Sequence, residues 1–353
     1  MINQSITNNY INIVILKRSD AIGMVQDQII NNLKGKIIFN KIVLDGATDK
    51  HNKLLKIFTI IKESFKLYIQ CKPGLVYFLS ANNYYSHLNI FFNFKKSILM
   101  VHHVDTAPLP YHHFGINFKR LYSSFDHIVS ISKSTKTELI HQYGIKQNKI
   151  TTIYHGCDNL LYKPISDNKF QFKYILYVGS LVKRKNVHNM IKSFKLIIKK
   201  YPELKFVRIG DDPEDKKYDL EIMTLINDLD LDKNVIFLGH VPEKDLPQYY
   251  SNAELFLFPS LKEGFGLPII EAMSCGCPVV TSDKPPMSEL VLSSQITVDP
   301  TDYKKIAQGM EKVLSNSVTR KQMIKEGKLR ACDFDWRKNT VAHIELFNRF
   351  INP

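Results

Sequence analysis

The chain has 353 residues, 44% of them hydrophobic and 23% charged, which favours a soluble globular protein of two domains over a disordered one. No apolar run approaches the roughly 18–20 residues that span a bilayer, and the polar N-terminus lacks a signal-peptide core, so we expect a cytoplasmic protein. Most of the net charge of +14 lies in residues 1–160, which contain 19 Lys and Arg but only 9 Asp and Glu. This excess predicts an acidic partner such as anionic lipid, nucleic acid or a phosphorylated acceptor.

The first predicted elements are those of a doubly wound α/β domain. An apolar strand at 11–16 is followed by a loop at 17–23 and a helix at 25–33. Because ligands of such domains bind at the carboxyl ends of the parallel strands, we expect this loop and its Gly23 on the ligand side.

Residues 53–69, with the sequence KLLKIFTIIKESFKLYI, are predicted to form an apolar helix with interspersed lysines. Such a helix can lie on an anionic membrane with Phe58, Ile61 and Phe65 inserted. It can also pack on the protein core with its lysines in water, which is the commoner use of an amphipathic helix. The sequence leaves both interpretations open.

Two buried strands follow at 75–79 and 97–101, and His102, His103 and Asp105 come directly after the second. Residues at a strand end are expected to face the ligand side, so these three are candidates for contact with a substrate. A metal site is less favoured, because adjacent histidines on an extended chain point to opposite faces. A purely structural histidine is the remaining alternative.

The rest of the first half alternates strand and helix and ends in a polar segment. We predict a strand at 127–132, a helix from the N-cap region of Ser134 and Thr135 to about Tyr143, and a strand at 150–154. Residues 159–172 contain Pro164 and many polar groups, and their composition predicts an interdomain linker.

The second half starts a new strand and helix series. We predict strands at 174–178, 205–209 and 235–238 and a helix at 187–200. Arg184 and Lys185, in the loop after the first of these strands, can bind phosphate oxygens, although a solvated basic loop is an alternative. Asp211 and Asp212 after Gly210 are predicted to form a turn and not a metal site, because Asp and Pro favour turns.

Residues 255–282, LFLFPSLKEGFGLPIIEAMSCGCPVVTS, carry the most specific pattern in the chain. A strand at 255–259 precedes a glycine turn, a helix starting at Pro268 and ending near Gly276, and a strand at 278–282. The helix N-terminus offers N–H groups and a positive dipole end to a phosphate. Glu263 and Glu271 can accept hydrogen bonds from hydroxyls. Together these features predict a nucleotide-sugar site.

The same stretch resembles the signature of the retaining glycosyltransferases called group 1, or family four, in the order E-G-F-G-L-P-x-x-E-A-M-x-x-G-x-P-V-V. The resemblance implies an α/β fold of two facing doubly wound, Rossmann-like domains, the architecture called GT-B. It places an acceptor-binding domain at 1–160, with a C-terminal helix at 338–353 packed back on it, and a nucleotide-sugar-binding domain at 172–337.

The resemblance also implies roles for individual residues. Glu263 is expected to hold sugar hydroxyls, Glu271 the ribose, and Arg184 with Lys185 the diphosphate. Ser180 stands where the family often has an arginine, which shifts weight to Arg184 and Lys185. The residues expected to bind the donor are Gly179, Ser180, Arg184, Lys185, Gly210, His240, Val241, Glu263, Gly264, Phe265, Gly266, Leu267 and Glu271.

For catalysis, the resemblance points to Glu263, His102, Arg184 and Lys185, with His102 placed against the transferred sugar. Gly23, His103 and Asp105 are expected on the acceptor side. Neither a cofactor nor a metal is expected: the five cysteines are odd in number and scattered, and Cys275 and Cys277 lack a second ligand pair.

The expected reaction is transfer of a hexose, with retention, from a nucleotide sugar to a glycan or lipid-linked acceptor in surface-polysaccharide or glycolipid synthesis. The Arg-Lys-Asn loop resembles those of mannosyltransferases in surface-polysaccharide assembly, and this resemblance implies mannose from GDP-mannose. The basic first half favours a peripheral position on the inner membrane face. Two alternatives remain: a sugar-nucleotide isomerase or epimerase, and a non-catalytic basic binding protein. A nucleic-acid partner is disfavoured, because arginines are not clustered with aromatic residues.

Overall fold

The computed structural model describes residues 10–16, 21–45, 53–80, 89, 94, 96–104, 117–167, 169–210 and 216–352. The chain divides into two compact units, of which the first is Met1–Gly156 with Trp336–Pro353 and the second is Cys157–Asp335. The sequence predicts these boundaries near residues 160, 172 and 338. The ligand-binding roles it gave to the two domains stay predictions.

The first unit contains a parallel sheet of six described strands in the order β2-β1-β3-β4-β5-β6. Its inner strands are mostly apolar because helices cover both faces of such a sheet. The strands are β1 (Tyr10–Leu16), β2 (Phe39–Leu44), β3 (Gly74–Phe78), β4 (Ser97–Val101), β5 (His127–Ser130) and β6 (Ile150–Thr152). The helices are α1 (Ala21–Leu33), α2 (Lys53–Gln70), α3 (Phe118–Ser123), α4 (Lys133–Tyr143) and, from the chain's end, α12 (Trp336–Ile351).

Two helix starts differ from the prediction. Helix α1 begins at Ala21, so the buried Gly23 lies in its first turn and not in a loop. The N-cap of α4 is Ser132, whose extended backbone lets Oγ accept the N–H of Thr135 at 3.0 Å. Because Ser132 caps the helix, strand β5 ends at Ser130, two residues earlier than predicted.

Helix α12 is held on the first unit by buried polar contacts. Asn339 Nδ2 donates to the carbonyl of Tyr154 at 2.7 Å. His343 Nδ1 lies 2.8 Å from the Asn339 carbonyl and Nε2 lies 2.9 Å from the Tyr77 hydroxyl. Since a carbonyl only accepts, the proton of the neutral ring is on Nδ1, and Nε2 accepts from the hydroxyl of Tyr77.

Helix α2 has a buried polar anchor and an apolar exposed face. Glu63 is buried and accepts the N–H of Asp45 at 3.0 Å, and Leu67 lies in the core. The exposed side carries large apolar residues that are 61–65% exposed: Ile61, Phe65, Tyr68 and Ile69. The side chain of Phe58 lies outside the described residues. Solvent therefore meets large apolar side chains as well as Lys62, which is 66% exposed. No helix in the described ranges is long and apolar enough to cross a membrane.

The second unit contains another parallel sheet of six described strands, in the order β12-β11-β10-β7-β8-β9. Its strands are β7 (Tyr174–Val178), β8 (Lys205–Ile209), β9 (Val235–Phe237), β10 (Leu255–Phe258), β11 (Val279–Ser282) and β12 (Ile296–Val298). Its helices are α5 (Val187–Ile198), α6 (Lys216–Asp228), α7 (Leu246–Asn252), α8 (Leu267–Ser274), α9 (Met287–Leu290), α10 (Tyr303–Ser315) and α11 (Ser317–Ala331).

The segment predicted as a linker packs on the second unit. Tyr162 is buried, with its ring 6.2 Å from that of Tyr250. The N–H of Ile165 donates to Ser251 Oγ at 3.0 Å, and Asn252 Nδ2 donates to the carbonyl of Asp167 at 2.8 Å. The polar composition of this segment predicted a linker because composition alone does not show that single residues, such as Tyr162, pack against a distant helix.

Candidate functional site

Strand order locates the ligand side of the second unit. The chain runs outward from β7 through β8 to β9, and from β10 through β11 to β12 on the other side. The direction of winding therefore reverses between β7 and β10. Loops at the carboxyl ends of two such strands flank the crevice where doubly wound sheets bind ligands. These loops are 179–186 after β7 and 259–266 after β10.

The two loops bring the predicted Glu263, Arg184 and Lys185 into one ionic cluster. Arg184 Nη1 lies 2.9 Å from Glu263 Oε2, and Lys185 Nζ lies 2.7 Å from Glu263 Oε1. The side chain of Arg184 is 52% exposed, whereas those of Lys185 and Glu263 are 12% and 8% exposed. Arg184 thus faces solvent, while the other two residues form the inner part of the site.

Burial and the neighbouring carboxylate have opposite effects on the charge of Lys185. It lowers the pKa of the Lys185 ammonium below its ordinary value, and the Glu263 carboxylate opposes this shift. The ammonium also lies 4.8 Å from the ring centre of Phe258. A phosphate near Lys185 would take over part of the neutralisation that Glu263 provides and leave the carboxylate oxygens to accept hydroxyl groups.

Asn186 fixes the position of the basic loop. It has a left-handed backbone with φ of 66°, and its Nδ2 donates to the carbonyls of Pro259 at 2.9 Å and Pro300 at 2.6 Å. The N–H of Leu261 donates to the Arg184 carbonyl at 2.8 Å. These bonds join the loops that follow β7, β10 and β12, and so hold Arg184 and Lys185 against Glu263.

The glycine turn leads into helix α8 as expected, with one small difference. Gly266 has φ of 117°, a conformation that glycine adopts most readily, and the helix begins at Leu267, so Pro268 is its second residue. The Phe265 ring is buried 6.0 Å from that of Phe334, so only its backbone is available to a ligand. The predicted donor roles of Gly264 to Leu267 therefore rest on main-chain groups.

Backbone contacts also connect the ends of β7, β8 and β9. The N–H of Gly179 donates to the carbonyl of Ile209 at 2.8 Å, and that of Gly210 to Gly239 at 2.9 Å. His240 and Val241 follow in an irregular segment, with His240 exposed. Asp211 and Asp212 lie outside the described residues.

Arg208 on β8 is a charged group that the sequence analysis missed. Its side chain is fully buried, and Nε donates to the Gly179 carbonyl at 3.1 Å. A charged residue inside the apolar strand KFVRI was the available signal, since a buried charge requires partners. The Tyr177 hydroxyl donates to the Ser180 carbonyl at 2.9 Å, so both residues lie under the turn at 179–180.

Glu271 lies on α8 beside two tyrosines. The Tyr250 hydroxyl donates to Glu271 Oε2 at 2.8 Å, and the nearby Tyr162 hydroxyl donates to Glu243 Oε1 at 3.4 Å. Burial raises the pKa of Glu271 to about 7; the two hydroxyls lower it and Glu243 raises it. Near neutral pH this group therefore exchanges between an acceptor-only carboxylate and a protonated acid.

This titration gives a testable pH dependence. If the Glu271 carboxylate accepts hydroxyl groups of a nucleotide sugar, affinity should rise with pH through about 7 and be roughly tenfold weaker at about pH 6 than above pH 8. Glu271→Gln should bind weakly with a flat profile. Tyr250→Phe removes a bond that favours the carboxylate and should move the midpoint to higher pH. Isothermal titration calorimetry with a nucleotide sugar measures this, and an unchanged midpoint in both variants would contradict it.

In the first unit, His102 lies at the end of β4 and is buried. Its Nε2 is 2.8 Å from the Leu79 carbonyl and its ring is 5.5 Å from that of His155. The carbonyl orients the imidazole, and contact with a sugar stays a prediction. His103 is half-buried, and Asp105 lies outside the described residues. Across the described part of the chain, no cluster of three or more His, Cys, Asp or Glu has the makings of a metal site.

Residues 161–330 match the family described as Glycosyl transferases group 1, and residues 49–159 match Glycosyltransferase Family 4. O-antigen chain mannosyltransferase B of Escherichia coli is 29% identical over 65% of this chain and 63% of its own. The capsular polysaccharide biosynthesis glycosyltransferase CapM of Staphylococcus aureus is 30% identical over 58% of this chain and 56% of its own. The chain thus spans somewhat over half the length of these relatives.

A third relative, from Campylobacter jejuni, is named as the N-acetylgalactosamine-N,N'-diacetylbacillosaminyl-diphospho-undecaprenol 4-alpha-N-acetylgalactosaminyltransferase and is 28% identical over 73% of this chain and 71% of its own. Among solved structures, sucrose-phosphate synthase of Thermosynechococcus elongatus aligns with a TM-score of 0.80 at 17% identity, over 97% of this chain and 98% of its own. Anabaena Alr3699/HepE in complex with UDP and glucose aligns with a TM-score of 0.76 at 18% identity, over 97% and 100%. These likenesses confirm the GT-B fold class.

Proposed function

The chain belongs to the group 1 and family 4 glycosyltransferases, and from this premise we propose that it transfers a hexose from a nucleotide sugar to a glycan or lipid-linked acceptor, with retention and without a metal. The observation that carries the proposal is the meeting of Arg184, Lys185 and Glu263 where the winding of the second sheet reverses. Cations beside a carboxylate suit a substrate with a diphosphate next to sugar hydroxyls.

Each residue has a proposed role. Lys185 and Arg184 stabilise the charge that develops on the leaving diphosphate, aided by the N–H groups and dipole at the start of α8. Glu263 holds hydroxyls of the transferred sugar, and Glu271 those of the ribose. His102, oriented by the Leu79 carbonyl, contacts the transferred sugar.

We assign no enzymic nucleophile. A double-displacement mechanism needs a carboxylate free to attack the anomeric carbon, whereas Glu263 is held by two cations. Retention can instead follow from attack on the face that the leaving group vacates, with the departing diphosphate accepting the acceptor's proton.

Mannose from GDP-mannose is the donor that we favour. The relative from E. coli is named as a mannosyltransferase of the O-antigen chain, and that from C. jejuni by its diphospho-undecaprenol acceptor. These names support surface-polysaccharide assembly on a lipid-linked acceptor.

The test begins with thermal shifts against GDP, UDP, dTDP and their common sugar conjugates. A ligand that binds only the folded state adds roughly 2.7 kcal/mol at a hundred times its dissociation constant. NMR of the product from the shifting donor and candidate acceptors then gives the anomeric configuration. Inversion would contradict retention, and conversion of the donor without an acceptor would favour an isomerase. Salt-dependent RNA binding without any nucleotide shift would favour a basic binding protein.

The exposed face of α2 supports a peripheral membrane site. Ile61, Phe65 and Ile69 recur every four residues and so lie on one side of the helix, and Lys62 beside them is 66% exposed. Apolar residues bordered by lysines match the acyl and headgroup layers of an anionic bilayer. A lipid-linked acceptor would be reached from that surface.

We therefore expect the protein to co-sediment with vesicles of equal parts phosphatidylglycerol and phosphatidylcholine, and to bind pure phosphatidylcholine weakly. Phe65→Asp should reduce binding about tenfold or more, because it removes apolar burial and adds repulsion. Ile38→Asp is the matched control, since Ile38 is equally exposed on the first unit but lies outside α2. Equal losses in both variants would contradict a site on α2.

A further inference from the structure

A row of three side chains crosses β7, β8 and β9 under the turn at 179–180. Tyr177 pairs in register with Arg208, and Arg208 pairs with Phe237. Register partners in a parallel sheet lie on the same face. The Arg208 guanidinium lies 5.5 Å from the Phe237 ring centre, and the Tyr177 hydroxyl bonds the turn. A fully buried cation is therefore built into the floor of the candidate site.

Arg208 and Tyr177 bind successive carbonyls of the turn. Arg208 Nε donates to Gly179 O at 3.1 Å, and the Tyr177 hydroxyl donates to Ser180 O at 2.9 Å. Both carbonyls are thus directed down toward the sheet. The side of the turn that faces away from Arg208 and Tyr177 therefore lacks these two carbonyl oxygens, which would repel a phosphate.

Two glycines leave room for this arrangement. A Cβ on Gly179 would lie 2.5 Å from the Tyr177 hydroxyl, and one on Gly210 would lie 2.5 Å from Gly179 O and 3.4 Å from Arg208 Nη2. Side chains at these positions would separate the turn from the cation below it. Their absence brings the backbone of the turn directly over the guanidinium.

Arg208, Arg184 and Glu263 all act on the pKa of the Tyr177 hydroxyl. Burial raises the pKa of Tyr177 above its ordinary value; Glu263 raises it further, and Arg208 and Arg184 lower it. The three charged groups are therefore all close enough to act on one hydroxyl. In a buried setting a fixed charge acts over a longer distance than at the surface.

We propose that Arg208 is a positioning residue for the diphosphate of the donor, holding the Gly179–Ser180 turn in place and supplying a fixed positive charge behind it. This inference rests on the proposed function, because it concerns the same donor. The fixed charge is supplied from under the turn, where the buried Arg208 binds the Gly179 carbonyl. The chemical group recognised is a nucleoside diphosphate, as distinct from the monophosphate.

The test compares GDP with GMP and UDP with UMP by calorimetry on the full chain. Arg208→Met should weaken binding of the preferred diphosphate about 10–100-fold and that of its monophosphate by no more than about threefold, since loss of one buried charged hydrogen-bonding group has this scale. Ser180→Arg in the Arg208→Met background should recover at least tenfold of the loss, because it returns a guanidinium above the turn.

Arg208→Lys covers the case in which Arg208→Met does not fold. It retains a cation but loses the planar guanidinium that bonds the Gly179 carbonyl, so it should lower the ratio of diphosphate to monophosphate affinity by about tenfold or less. Tyr177→Phe removes one bond to the turn without a change in charge and should alter that ratio less than Arg208→Met does. If Arg208→Met weakened diphosphate and monophosphate binding equally, or left the ratio of the two affinities unchanged, the role of Arg208 would be overturned while the proposed donor site would stand. A wild-type chain that binds neither nucleotide would overturn the proposed donor site and this role with it.

Discussion

Lys185→Ala and Glu263→Gln should each lower kcat about 10²–10³-fold, the scale of losing one preorganised group that acts on transition-state charge. Lys185→Ala removes the ammonium group that lies 2.7 Å from Glu263 Oε1. Glu263→Gln keeps the shape but loses the charge that two cations share. Initial rates with saturating donor and acceptor measure the effect.

Lys183→Ala is the matched control for this experiment. Lys183 lies in the same short 3₁₀ turn, Lys183–Lys185, but is exposed. It should retain kcat to within about threefold, since exposed charges contribute little. Turnover within threefold of wild type for Lys185→Ala and Glu263→Gln would contradict the assigned roles. A thermal melt of each variant separates lost chemistry from lost folding.

Acidification should unfold the first unit through buried neutral histidines. Burial lowers the pKa of His343 to about 4 and that of His127 to about 4, where Arg349, Lys136 and Lys149 add to the shift. The unfolded chain has a histidine pKa near 6.5, so it takes up protons first as the pH falls. The stability these groups contribute is complete above about pH 6.5 and is lost as the pH falls toward 4. Each histidine should lower the free energy of unfolding by about 2 kcal/mol between about pH 7 and pH 5.

Urea unfolding measures this loss, with the fluorescence of Trp336 as the probe. Trp336 is the one tryptophan in the sequence and lies at the start of α12, the helix that His343 docks on Tyr77. His343→Gln removes the titrating group and should flatten the pH dependence by about 2 kcal/mol. His141→Gln, at an exposed position of α4, should not change it. An unchanged slope in His343→Gln would exclude His343 as a cause of acid lability.

The local patterns of the sequence were enough to predict the fold class. Unbroken apolar runs, such as 98–101 in the strand Ser97–Val101 and the whole of Leu255–Phe258, indicate parallel strands buried on both faces, because polar residues do not alternate along them. The stretch from Glu263 to Glu271 specifies a glycine turn, a helix start and two carboxylates, since all of these lie within one strand–turn–helix segment. Errors at this level concerned helix ends, such as the cap at Ser132, where several hydroxyls compete for one position.

The tertiary structure decided which distant residues meet. Arg184 and Glu263 are 79 positions apart, and only the reversal of strand order between β7 and β10 brings their loops together. The bond from Asn186 to Pro300 spans 114 positions for the same reason. The docking of Tyr162 on Tyr250 and the placement of Arg208 under Gly179 likewise depend on which strands are neighbours. Residue spacing determines what lies on one face of one element, whereas contacts between elements follow from how the strands are ordered.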